Sequence, residues 1–154
     1  MREILFRGQR IDNGEWVEGN LAAYDLICPD YPEDTYNATG DYYDQTPYVG
    51  FVEVIFETVG QYTGLTDKNG KRIFEGDIFH LDEELIAVII FKDGCFRLQV
   101  YGLCGTYTES GYDECGGGWG IVECEPIDWY YIHDMEIIGN IHDNPELLKG
   151  ENNV

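Results

Sequence analysis

The chain has 154 residues, 44% of them apolar and 14% aromatic, and its nine Lys and Arg stand against thirty Asp and Glu for a formal net charge of −21. A chain of this size and composition can bury a core without staples and is not a disordered tail. The charge argues against a role on DNA, RNA or an anionic membrane, because phosphate binding runs on clustered basic side chains.

Ile4-Leu5-Phe6-Arg7-Gly8 and Glu15-Trp16-Val17-Glu18-Gly19 flank Asp12-Asn13-Gly14, which predicts an opening hairpin. Leu21 to Ile27 continues it. Cys28 to Gln45 is rich in Asp, Pro, Tyr and Gly. That composition predicts a long exposed excursion, ordered against a partner rather than in the core. Strand character returns from Tyr48 to Glu57. Thr58 to Ile78 reads TVGQYTGLTDKNGKRIFEGDI and places Gly60, Gly64, Gly70 and Gly76 around one hairpin signal. Gln61 to Leu65 is extended, Asp67-Lys68-Asn69-Gly70 is a turn, and Lys71 to Phe74 is a strand. Glu75-Gly76-Asp77 then turns the chain into Ile78 to Leu81. Asn69-Gly70 supplies the two left-handed positions of a type I′ turn.

Leu85 to Ile90 is apolar without alternation, the mark of a buried central strand. Lys92-Asp93-Gly94 joins it to Cys95–Tyr101 as a third hairpin. Thr106 to Gly120 predicts a second irregular excursion, most flexible at Gly116-Gly117-Gly118-Trp119-Gly120. Met135 to Ile141 is the last strand. Asn144-Pro145-Glu146-Leu147-Leu148 offers a capping amide, a proline at the first helical position and an acidic first turn. It predicts a short helical turn closed by Gly150. Three hairpin signals without a long helical stripe predict an all-β barrel or sandwich.

The motifs that carry chemistry are weak. Asp67, Asn69 and Gly70 echo a calcium loop, but Lys71 and Arg72 occupy ligand positions and the twelfth position lacks Glu. His80, His133 and His142 with five cysteines (Cys28, Cys95, Cys104, Cys115, Cys124) could in principle build a zinc site or a Cys/His pair. No cysteine pair has C-x-x-C spacing, so the thiols read as reduced in a cytoplasmic protein without signal peptide or membrane span. Gly116-Gly117-Gly118 lacks the lysine of a phosphate loop. Arg2, Arg7 and Arg10 on the first strand, and Lys68, Lys71 and Arg72 on the later hairpin, read as partners for carboxylates. No catalytic, metal or cofactor site follows.

The wording VGQYTGLTDKNGKRIFEGD resembles the signature of the YopX family, small proteins of bacteriophages and prophages. The start MREILFRG with NGEWVEG, and the close IIGNIHDNPEL, resemble the family's ends. Asp25 to Tyr48 and Gly102 to Tyr131 carry no such likeness. The resemblance implies a mostly β fold with an SH3-like barrel portion, a tendency to assemble into rings, and no known activity. We place an N-terminal β subdomain at 1–62 and the SH3-like portion at 63–148, within one domain of 1–154. Gly60, Gln61, Tyr62, Thr63, Gly64, Asn69, Gly70, Gly76 and Asp77 form the motif and read as structural. The expected function is that of a non-enzymatic homo-oligomer in the bacterial cytoplasm that binds other proteins, among them a basic host or phage protein. Two further readings stay open: an acidic decoy that imitates the phosphates of DNA, and an enzyme with a cysteine or carboxylate site.

Overall fold

A computed structural model describes residues 3–29, 51–103, 119–127 and 132–149. The protein is mainly β, with antiparallel strands. The chain divides into two units, Met1–Tyr62 and Thr63–Val154. Of the excursion expected from Cys28 to Gln45, Cys28 and Pro29 instead end a strand, and the remainder, with 106–118 of the excursion expected from Thr106 to Gly120 and the stop at Gly150, lies outside the described residues. Among the described residues no helix is long and apolar enough to cross a membrane.

The first unit holds β1 (Phe6–Gln9), β2 (Trp16–Ala23), β3 (Leu26–Pro29), β4 (Val52–Glu53) and the start of β5 (Gly60–Thr66). Their order is β4-β3-β2-β1-β5. Phe6 pairs with Gly19 and Gln9 with Trp16, so the opening hairpin forms as expected. Leu21 to Ile27 does not simply continue it. The chain reverses at Tyr24-Asp25 into a second hairpin, with Leu21 opposite Ile27. Gly19 permits that pairing, because a Cβ there would collide with the Cys28 carbonyl oxygen.

The stretch expected as a strand from Tyr48 to Glu57 yields only the two residues of β4 among those described. Beyond it Val54 bridges Arg10, the Ile55 N–H donates to the Gln9 carbonyl (2.8 Å), and a 3₁₀ turn covers Phe56–Thr58. Thr58 ends the strand early. Its Oγ1 donates to the Ile55 carbonyl (2.6 Å) and accepts the Gln9 N–H (2.8 Å). The end of β1 thereby pairs with the chain that leaves β4, and the strands of this unit close on themselves. Leu5, Ile27, Val54 and Tyr62 are buried.

The second unit holds the rest of β5, then β6 (Arg72–Phe74), β7 (Asp77–His80), β8 (Ile86–Lys92), β9 (Cys95–Leu103), β10 (Trp119–Pro126) and β11 (Ile137–Asn140). β6 lies beside β5, and the remaining strands order as β10-β9-β8-β7-β11. These described pairings leave β10 and β11 as the two margins and do not by themselves close a barrel. β8 is central. Ala87 and Ile89 join Ile73, Phe79, Leu98 and Met135 in one core, while Ile86 and Val88 join Ile78 in another. A strand buried on both faces has no reason to alternate, which accounts for its continuous apolar run. Trp119 donates its Nε1–H to the Leu148 carbonyl (2.7 Å) and holds the 3₁₀ turn Pro145–Lys149. Trp119 and Gly120, expected in a flexible loop, instead begin β10 opposite Leu103 and Gly102.

The hairpin turns divide by type. Asp93 (φ 53°) and Gly94 (φ 79°) are both left-handed between paired Lys92 and Cys95, which makes a type I′ turn. The Asn69-Gly70 turn is not type I′, because Gly70 (φ 79°) is left-handed and Asn69 is not. The Gly70 N–H donates to the Asp67 carbonyl (3.0 Å) and the Asp67 N–H to the Lys71 carbonyl (2.9 Å). That is a three-residue loop in which one glycine follows an ordinary turn. A Cβ at Gly70 would meet no neighbour, so the constraint is purely one of backbone. Gly70→Val is expected to lower stability by about 1 kcal/mol or more, since a β-branched residue resists the left-handed region. Thermal melting checks it, and equal midpoints for the two proteins contradict the turn.

Candidate functional site

Two places concentrate unusual side-chain positions, one in each unit. In the second, the centre is Asp67. It is 4% exposed at the end of β5. Its Oδ1 accepts the N–H groups of Asn69 and Lys71, both at 2.9 Å, and its Oδ2 accepts the Ile137 N–H at 3.3 Å. Burial pushes this carboxyl up, but the three amide donors and the Lys71 charge outweigh it and hold it below the ordinary aspartate value. The Lys68 N–H donates to the Met135 carbonyl (2.9 Å), and Lys68 Nζ reaches Glu136 (2.7 Å). That contact with Lys68 holds the Glu136 carboxyl below its usual range.

Lys68, Asp134, Met135 and Glu136, together with His80, Leu81 and Ile138, line a cavity of about 440 Å³. Its floor is apolar and its rim carries both signs of charge. None of the nine motif residues is among those that line it. Thr63 donates its hydroxyl to the Ile73 carbonyl (2.9 Å) and accepts the Leu65 N–H. Gly64 (φ 88°) and Gly76 (φ 91°) are left-handed, and Asn69 and Gly70 are exposed in the turn. The Gly76 N–H donates to the Ile89 carbonyl, and its own carbonyl accepts the Ile141 N–H. Asp77 is 1% exposed and accepts the Phe74 N–H at 2.8 Å. Gly60, Gln61 and Tyr62 belong to the first unit, where Gly60 pairs with Arg7, Gln61 with Phe6, and the Tyr62 N–H bonds the Leu5 carbonyl.

Chemical alternatives find little support. Both Asp67 oxygens face amide hydrogens, which is the wrong polarity for a cation. Among the described residues no three His, Cys, Asp or Glu side chains gather closely enough for a metal ion. Cys28, Cys95 and Cys124 are free thiols, and Cys104 and Cys115 lie outside the described residues. Of the basic residues expected to meet carboxylates, Arg10 grips Asp12 with two bonds (2.8 and 2.6 Å), and Lys68 meets Glu136. The guanidinium of Arg7 lies over the Trp16 ring at 4.8 Å.

The first unit carries the other place. Val52 and Val54 point inward from the β4 stretch, while Phe51, Glu53 and Ile55 are exposed on its outer side. Ile11 stands opposite Glu53, to whose carbonyl its N–H donates (3.2 Å). Tyr24 and Phe56 contact edge to face at 5.7 Å, with 69% and 57% of their surfaces open to water. Arg10, Ile11, Asp12, Phe51 and Glu53 help line a shallow hollow of about 300 Å³. Sequence reasoning missed this surface, because Phe51 and Ile55 read simply as part of a strand from Tyr48 to Glu57. Of the twelve tyrosines, only Tyr24, Tyr62 and Tyr101 fall within the described residues.

Comparison with known proteins gives one family. The model described as YopX protein matches residues 5–149, and no curated protein matches the chain.

Asp67→Ala removes the acceptor of three amides and is expected to cost about 3 kcal/mol, as buried donors lose a charged partner. The Asp67 contribution also depends on pH. Its folded pKa lies below the unfolded one, so the stabilisation is complete above about pH 3.9 and is lost as pH falls through the folded value. Acid denaturation of wild type should therefore be steeper below this point than that of Asp67→Asn. Parallel acid limbs for the two proteins would contradict the geometry.

Proposed function

Because the chain belongs to the YopX family, a phage-type family of unknown role, we propose that it is a non-enzymatic phage or prophage protein that acts by protein contact, as a homo-oligomer in the bacterial cytoplasm. The observation that carries the protein-contact part of this reading is the outer row of the first unit. Tyr24, Phe51, Ile55 and Phe56, with Ile11, expose large apolar side chains within one short region. Apolar groups gathered this way lower their free energy when a partner covers them, and aromatic rings dominate such contacts. The motif offers no competing chemistry, since its special residues serve backbone junctions. A second reading, the acidic decoy, draws support from the ion pairing of Arg10, Lys68 and Arg97 within a chain of net charge −21. Cations so engaged leave an acidic surface that would attract a basic protein and repel duplex DNA.

Light scattering after size exclusion tests the leading reading. The expected mass lies above the 17.6 kDa of one chain. A clean monomer at high micromolar concentration contradicts the oligomer.

A further inference from the structure

The outer row of the first unit has a charge pattern as well as an apolar one. Glu53 sits between Phe51 and Ile55 on the same side of the strand, so the exposed order along the row is apolar, acidic, apolar. Glu57, also exposed, follows just beyond Phe56. Among the described residues Glu53 and Glu57 have no ion-pair partner. Among the described residues the nearby cation, Arg10, is engaged, since its Nε and Nη2 both donate to the Asp12 carboxylate. The row is therefore a short extended track whose apolar contacts are interrupted by unneutralised negative charge.

We infer that this track binds an extended segment of a partner protein in which apolar and basic side chains alternate, an inference that rests on the protein-contact reading above. An extended chain presents every second side chain to one face, at the same spacing as Phe51, Glu53 and Ile55. Apolar side chains of the segment cover Phe51, Ile55 and Ile11, and a lysine or arginine between them meets Glu53. The Tyr24–Phe56 pair forms one end of the track, and the hollow beside Ile11 and Phe51 the other. A second copy of this chain fits the track less well. A two-fold contact would bring the row's carboxylates against those of its counterpart, within a pair of chains that each carry −21.

Fluorescence anisotropy with the full chain and a short synthetic peptide alternating lysine and valine tests the inference. The peptide should bind, and a lysine–serine peptide of equal charge should bind roughly tenfold more weakly, because apolar anchors supply most of the affinity. Phe51→Ser should weaken the lysine–valine peptide by about tenfold. Glu53→Gln should weaken it by about threefold, the worth of an exposed ion pair. Glu123→Gln, on β10 of the other unit, should leave it unchanged. Equal binding of the two peptides overturns the inference, because attraction to an acidic chain would then explain it. So does an affinity indifferent to both Phe51→Ser and Glu53→Gln. Light scattering on the same variants separates this failure from that of the protein-contact reading. If Phe51→Ser turns an oligomer into a monomer while the peptide fails to bind, the track joins copies of the chain; the inference falls and the reading stands. If neither mass nor peptide binding responds to the row, both fall.

Discussion

A buried aspartate holding three backbone N–H groups is the interaction on which the second unit depends. Asp67 closes the turn after β5 through Asn69 and Lys71, and the same carboxylate takes the N–H that opens β11 at Ile137. A carboxylate taken out of water needs such donors, and amides that have lost water need such an acceptor, so each side stabilises the other. The hairpin is seated by this exchange, and Lys68 reinforces it through the Met135 carbonyl and Glu136. Gly76 repeats the logic at the next corner, where its N–H and carbonyl join the Ile89 and Ile141 backbones. The glycines and acids of the motif are thus explained by strand junctions.

The first unit reaches closure by a different device. Thr58 turns one hydroxyl into a donor and an acceptor at once, and so fixes the chain leaving β4 against Gln9. Gly8 lets the two segments approach, since a Cβ there would lie 2.9 Å from the Val54 side chain. Alternation along the β4 stretch leaves Phe51 and Ile55 at the surface, and Phe56 is exposed in the 3₁₀ turn that follows. Among the described strands β10 is a margin of the second unit; it exposes Glu123 and Glu125 and ends at Pro126. Charge and proline on a marginal strand discourage adventitious pairing with other chains.

The hairpins at Asn13-Gly14, Asn69-Gly70 and Asp93-Gly94 were legible because glycine after a short polar residue marks a left-handed position, whereas the reversal at Tyr24-Asp25 carries no glycine. β8 was legible because burial on both faces removes alternation. The type of the Asn69 turn was not legible, because it depends on where the Asp67 carboxylate points. The sign was available only as an Asp two residues before Asn-Gly, a spacing that lets the side chain mimic a turn. β10 was missed because its start, Trp119-Gly120, sits beside a glycine run and its centre carries Glu123 and Glu125. The stop after β4 escaped because a threonine three residues past Ile55 carries no local signal until Gln9 is known to face it. The exposed row escaped because Val49 to Phe56 is mostly apolar on both of its alternating faces, so composition alone does not say which face meets water.

Amide hydrogen exchange resolved by residue tests the role of Asp67 most directly. If one carboxylate joins the turn to β11, Asp67→Asn should lower the protection of Asn69, Lys71 and Ile137 together, although Ile137 lies seventy positions away in sequence. Loss of protection at Asn69 and Lys71 with Ile137 unchanged would show that β11 holds its place without the aspartate, and would contradict the account.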